Sequence, residues 1–436
     1  MKLLYIAGVS FLLVGCSVSK PLATTQVKKV ESIKYISQEI ALYSKNFKDT
    51  NTSINQKDFE DKYFSAWGMD PKTYNKKQIQ WAFDSFKYGD SYGENLQIID
   101  DSFFKKMKEN ANYNAYGSVN KNALSLYELN IRAFPSDKPL LRNPKLAGEG
   151  FPFDYLQNST VHANKPLFIT HYSKDKQWAH IFTSFAYGWV KTKDIITLQS
   201  YQVELWKKAQ QIYITKEGEN IYDKEGHFLF KTKLGMLFAL IGENKNSFRV
   251  LAVSSYKFNQ GLFHEVEISK QFAHKDILKF NKNNLENIAQ EILKSNYGWG
   301  GMYGQRDCSS SIRDFFAPFG VWLPRNSYQQ SKIGKVVSLH GLEDENKIKT
   351  IKEQAKPFKT LLYKKGHIML YTGVVNGQIT LLQNVWGVKT KEKNQEGRFV
   401  VGKTIFSTLS LGSTLDNYDT NASIVRKLES FNTIVD

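Results

Sequence analysis

The chain has 436 residues, with 59 Lys and Arg against 42 Asp and Glu and a net charge of +17. That length exceeds a single core and allows about three domains. The positive charge is scattered as single lysines, a surface that attracts polyanions such as phospholipid headgroups and anionic wall polymers; with no nucleic-acid motif and no zinc-ligand pattern in the chain, neither nucleic acid nor a bound metal is expected. An aromatic share of 14%, with 23 Tyr and 29 Phe, suits small β-rich modules, where rings fill thin cores and line ligand grooves.

Residues 1–15 carry Lys2, an apolar run over 3–14 and the small residue Gly15, the pattern of a secretory leader. The run is shorter than the roughly 20 residues of a membrane-spanning helix, and no later segment approaches that length. Leu13-Val14-Gly15-Cys16 resembles the lipobox of bacterial lipoproteins. That resemblance implies acylation of Cys16 and a lipid-anchored protein of the cell envelope, on the outer membrane facing the periplasm where the cell has one. The chain has two cysteines; if Cys16 is acylated, Cys308 is the only thiol left and has no intramolecular partner.

Residues 17–127 read as a tether followed by a helical or irregular region with no chemistry of its own: Ile33, Ile36, Ile40 and Tyr43 recur at helical spacing, and Trp81, Phe83 and Phe86 mark a second helix. Over 128–198 the texture changes to short apolar runs between turn residues, as in Pro166-Leu167-Phe168-Ile169-Thr170 and Trp178-Ala179-His180-Ile181-Phe182, which predicts a small antiparallel barrel. Residues 199–276 repeat that rhythm and predict a second one. From 277 to 436 the pattern predicts an α+β domain. Leu285, Ile288, Ala289, Ile292 and Leu293 mark a helix face, and the glycine-rich residues 297–304 lead into another helix that starts at Cys308. Val375-Asn376-Gly377 then joins two strands, because Asn-Gly is a strong hairpin signal.

Chemistry concentrates in this last domain. A thiol at a helix N-terminus meets unpaired N–H groups that stabilise the thiolate, so Cys308 is the candidate nucleophile. His367 opens a downstream strand as the candidate base, and Gln383 and Asn384 lie on opposite faces of the next strand, so at most one of them orients the imidazole. His171 and His180 read as structural or surface groups and Trp189 as barrel core.

The blocks Tyr297-Gly298-Trp299-Gly300-Gly301, Arg306-Asp307-Cys308-Ser309-Ser310, Leu323-Pro324-Arg325-Asn326-Ser327-Tyr328-Gln329-Gln330 and Gly366-His367-Ile368-Met369-Leu370-Tyr371 resemble the NlpC-type cell-wall cysteine peptidases. Gly148-Glu149-Gly150-Phe151-Pro152-Phe153-Asp154-Tyr155-Leu156-Gln157 extends the likeness to members with two bacterial SH3-type barrels ahead of a papain-like domain. The resemblance implies cleavage of the γ-D-glutamyl–diamino acid bond of peptidoglycan stem peptides, without a cofactor, by Cys308 and His367. It places Gln383 where the family often has a third catalytic His, and it implies a substrate pocket from Tyr297, Asp307, Ser309 and Ser327, with Asp307 able to pair with a free substrate amine or to cap its helix. Asp154 and Tyr187 are candidates for a pocket wall from the first barrel. The alternatives are a non-catalytic peptidoglycan-binding lipoprotein, and an amidase or acyl transferase on the same core.

Overall fold

The computed structural model describes residues 32–49, 54–255, 261–393 and 395–435; the leader, Cys16 and most of the tether lie outside them. Within residues 33–47 the helical spacing yields only one short helix, Ala41–Ser44. Tertiary packing overrides the periodicity. The side chain of Gln38 pairs with both backbone groups of Phe406, its Nε2 donating to the carbonyl at 2.9 Å and its Oε1 accepting from the amide at 2.8 Å. Tyr43 stacks on the Phe406 ring with centroids 4.0 Å apart. Ile40, Tyr43 and Phe47 join the same apolar cluster as Cys308, Phe315 and Phe406. This arm is therefore part of the last domain's core, although it lies at the other end of the sequence.

Helices α1 (Gln56–Tyr63) and α2 (Asp101–Asn110) follow, with side chains of Asn55 and Asp100 capping their first turns. Short helices Lys76–Ile79 and Trp81–Ser85 lie between them. These elements cover the first barrel. Its seven antiparallel strands are β1 (Lys121–Ser125), β2 (Leu129–Arg132), β3 (Gln157–Val161), β4 (Pro166–Tyr172), β5 (Trp178–Phe182), β6 (Tyr187–Lys191) and β7 (Ile195–Thr197), in the order β3-β2-β6-β5-β4-β1-β7. Strand β1 precedes residue 128, so the sheet reaches into the segment read as N-terminal. Ile131, Leu167, Ile169 and Ile181 fill the interior. Phe168, Trp178, Phe182 and Trp189 face outward and are buried with Ala111 and Tyr113 of the helical cover. That double packing explains why β4 and β5 read as continuous apolar runs. Trp189 is buried in this outer layer. His171 and His180 are buried beside it and share the Thr170 hydroxyl at 3.0 and 2.9 Å, which makes them structural.

The second barrel opens with helix α3 (Ser200–Lys208). Strands β8 (Gln211–Ile214), β11 (Leu237–Glu243), β12 (Ser247–Ser255), β13 (Gly261–Ser269) and β14 (Ala273–His274) form a sheet ordered β13-β12-β11-β8-β14, and β9 (Asn220–Tyr222) pairs with β10 (Phe228–Lys231).

In the last domain, helices α4 (Lys282–Leu293) and α5 (Cys308–Phe316) pack on a six-stranded antiparallel sheet; α6 (Asp344–Gln354) follows them in the chain. The strands are β15 (Lys335–Ser338), β16 (Thr360–Lys364), β17 (His367–Val375), β18 (Gln378–Glu392), β19 (Gln395–Thr408) and β20 (Leu428–Thr433), ordered β15-β20-β16-β17-β18-β19. Asn376 and Gly377 both take positive φ, +50° and +75°, between paired Val375 and Gln378, the two-residue turn that Asn-Gly favours. The molecule is thus multidomain α+β. No helix among the described residues is long and apolar enough to cross a membrane.

Candidate active site

Cys308 is the first residue of α5, and Asp307 caps that helix by accepting the Ser310 N–H at 2.9 Å. The apolar face of α5, with Ile312, Phe315 and Phe316, is buried on α4 and the sheet, which fixes the cysteine in place. Cys308 packs in the same apolar cluster as Ile368, so it lies against the start of β17, one residue past His367. The imidazole Nε2 meets Gln383 Oε1 at 2.7 Å, and Gln383 Nε2 donates to Ser407 Oγ at 2.6 Å. With its amide nitrogen on the serine, Gln383 presents oxygen to the histidine. This selects the tautomer with the proton on Nε2 and leaves Nδ1 as the basic nitrogen. Asn384 points the other way. Its Nδ2 donates to the carbonyls of Asn296 and Arg306 at 3.2 and 3.0 Å, pinning both ends of the glycine-rich loop.

The charge state differs from the sequence expectation. Burial, then the neighbouring Asp307 carboxylate, push the Cys308 thiol up to about 11, against the opposing pull of the Ile368 N–H. Burial and the Lys364 ammonium, which sits directly across the β16–β17 pairing, push His367 down to about 3. Both shifts run toward the neutral forms, thiol and imidazole, so the helix N-terminus does not outweigh desolvation.

Asp307 does not present a free carboxylate. Burial raises its pKa, but the Arg325 guanidinium outweighs that and holds it below the usual range. Arg325 gives Nη2 to Asp307 Oδ2 at 2.6 Å, Nη1 to Ser309 Oγ at 2.9 Å and Nε to Ser159 Oγ of the first barrel at 2.7 Å. Sequence reasoning quoted Arg325 as part of a motif and gave it no role; its signal was a buried guanidinium two residues before Ser327.

Above the cysteine lies a cleft of about 920 Å³. Tyr297, Asp307, Cys308, Ser309, Ser327 and Tyr187 line it, so the structure brings these predicted residues to one place. Tyr297 keeps its phenol protonated well above the ordinary value, through burial and then the nearby Cys308 and Asp307. Asp154 is different. Its carboxylate is buried on Arg132 Nη1 at 2.6 Å and on the amides of Leu140 and Leu156, each at 3.0 Å. An Asp so fully partnered is a structural clamp and not a pocket wall; what it offers the loop is its backbone carbonyl, which accepts from Trp299 Nε1 at 2.8 Å. Gln157 and Asn158 line the cleft in its place. Gly300 and Gly301, at φ +60° and +87°, lie so close to Gln157 and Thr160 of β3 that a Cβ on either would collide.

The region read as having no chemistry supplies another wall. Tyr74, Gln78, Trp81 and Phe86 line the cleft, and the Gln78 carbonyl accepts from Tyr187 Oη at 2.8 Å. Nothing in their spacing marks them, because they reach the cleft only through docking on the first barrel.

Comparison with known proteins agrees with this layout. Residues 5–116 match the N-terminal NLPC_P60 stabilising domain, 139–191 an SH3 domain of SH3b1 type, 199–245 an SH3 domain of SH3b2 type, and 294–399 the NlpC/P60 family. Among solved structures, an NlpC/P60 endopeptidase from Photobacterium damselae subsp. piscicida superposes with a TM-score of 0.79 at 21% identity, over 92% of this chain and 97% of that one. An NlpC/P60 family protein from Bacillus cereus gives a TM-score of 0.44 at 15% identity, over 64% and 82%. No curated protein matches. The chain thus carries, in order, an NlpC/P60 stabilising domain, two SH3 domains and a C-terminal domain of the NlpC/P60 family.

Proposed function

We propose that the protein is a cysteine endopeptidase of peptidoglycan that hydrolyses the γ-D-glutamyl–diamino acid bond of stem peptides. The observation that carries this reading is the His367–Gln383 bond at 2.7 Å, which leaves Nδ1 of the imidazole free, while Cys308 starts a helix packed with Ile368 of the strand that His367 opens. The family match supports peptidoglycan as the substrate class. In this mechanism His367 Nδ1 takes the thiol proton as sulfur attacks the γ-carbonyl carbon, and the Cys308 N–H, at the first position of α5, is placed to receive the developing oxyanion. The same imidazole returns the proton to the departing amine, leaving an acyl-enzyme that water clears by the reverse relay. Gln383 holds the ring and its tautomer throughout; lacking charge, it stabilises imidazolium less than a carboxylate does. Arg325 acts through Asp307, fixing the N-terminus of the nucleophile's helix.

Cleft walls from three domains favour small stem peptides over intact wall, and lipid anchoring through Cys16 would hold the enzyme in the envelope. Purified protein incubated with muropeptides, beside Cys308→Ala, tests the reading by mass spectrometry. New fragments cut between D-Glu and the diamino acid are expected from the wild type alone; identical profiles for the two proteins would sink it.

A further inference from the structure

Behind the cleft, where four parts of the chain meet, lies a second cavity of about 40 Å³, several times the ~10–15 Å³ that one water occupies. Helix α1, both barrels and α5 frame it, and Ser184, Phe185 and Trp322 belong to its wall and to the cleft's. Several hydrogen-bond donors on its polar lining have no hydrogen-bond partner among the described residues. Lys165 is 7% exposed. Its ammonium lies 3.3 Å from the Tyr63 ring centre and 5.5 Å from that of Phe185, with Asp314 the carboxylate that acts on it electrostatically. Arg313, 4.0 Å over the other ring partner Phe185, places Nε and Nη2 on Asp314 Oδ1 at 3.1 and 3.0 Å, and its buried Nη1 has no partner. Trp322 Nε1 and Ser184 Oγ are buried and unpartnered as well.

The carboxylate on this lining answers part of Arg313 and makes no hydrogen bond to Lys165, Trp322 or the free Nη1. Asp314 Oδ2 is held by Arg306 Nε at 2.8 Å and Oδ1 by Arg313. His162 stands 4.0 Å from Asp314 and 3.7 Å from Glu128, with both ring nitrogens buried and unbonded. A buried donor without an acceptor is costly, and a buried cation without a counter-charge more so. Several such donors converging on one cavity call for a negatively charged acceptor. We propose that this cavity binds a small oxyanion, a carboxylate or a phosphate, held by Lys165, the free Nη1 of Arg313 and the indole N–H of Trp322. The ion ties the first barrel to the helix that carries Cys308. A neutral Lys165 beside ordered water is the rival state.

The full chain crystallised and soaked in selenate tests this directly. An anomalous peak inside the cavity, within hydrogen-bond distance of Lys165 Nζ, is expected; water alone there would overturn the proposal. In solution, phosphate at matched ionic strength should raise Tm by about 2 °C or more in the wild type and by less in Lys165→Met, or in Trp322→Phe if the first variant does not fold. Equal responses in wild type and variant would also overturn it. Displacement of selenate by a stem peptide would mark the cleft's ligand as the source of the carboxylate, and retention of selenate beside the peptide a dissolved ion.

Discussion

The two barrels belong to one fold class and meet the last domain on different terms. The first gives the cleft a wall, through Tyr155, Gln157, Asn158 and residues 182–187. The second lines none of it and reaches beneath α5 instead. Glu217 pairs with the buried Arg306, which also donates Nε to Asp314 at 2.8 Å, and Lys233 Nζ donates to the Gly304 carbonyl at 2.8 Å. The first barrel's share of the cleft wall is uncharged and largely aromatic, whereas the second barrel's contact beneath α5 is ionic. The cleft wall and the support of the glycine-rich loop thus fall to different barrels.

The largest expected effect belongs to neither barrel. Cys308→Ala should lower stem-peptide cleavage by roughly 10⁴-fold or more while circular dichroism stays unchanged, so that any binding it retains reports the walls alone. Arg306→Met should strand Glu217 and Asp314, costing about 3–5 kcal/mol by urea denaturation; a comparable loss from wall variants would erase the distinction between the barrels. Gln383→Ala should reduce kcat by roughly 10- to 100-fold with KM little changed, whereas Asn384→Ala should lower stability more than kcat. Tyr187→Phe removes the bond to the Gln78 carbonyl, worth about 1 kcal/mol, and should raise KM by about fivefold with kcat kept.

The smallest effect is a flat one. With His367 near 3 and Cys308 near 11, kcat/KM should stay level between about pH 5 and 9. A neutral-form preference in the folded state costs stability on acidification, so unfolding free energy should fall as pH drops from about 6.5 toward 3. A bell centred near neutrality would show that the pair rests as thiolate and imidazolium.

Much of the last domain is legible because its signals are local. An Asn-Gly turn, an amphipathic run from Leu285 and a lone thiol after glycines each state their structure within a few residues. The first barrel's strands show through turn residues, while β1 hides because its pairing with β4 and β7 is remote in sequence. Asp154 misleads for a physical reason: an acidic residue beside aromatic ones reads as a ligand until Arg132, 22 residues away, is seen to hold it. The direction of the thiol's pKa shift escaped too, since helix position is written in the sequence and desolvation is not.

The arm at residues 33–47 has a consequence for how this chain can be divided. Tyr43 and Phe47 seal the same apolar interior that holds the helix starting at Cys308, so a fragment cut at the apparent border near residue 277 would open a gap beneath that cysteine. Modular ancestry notwithstanding, the C-terminal unit is a split fold completed by its distant first strap, and exchange of domains at that border would need the strap to travel with it.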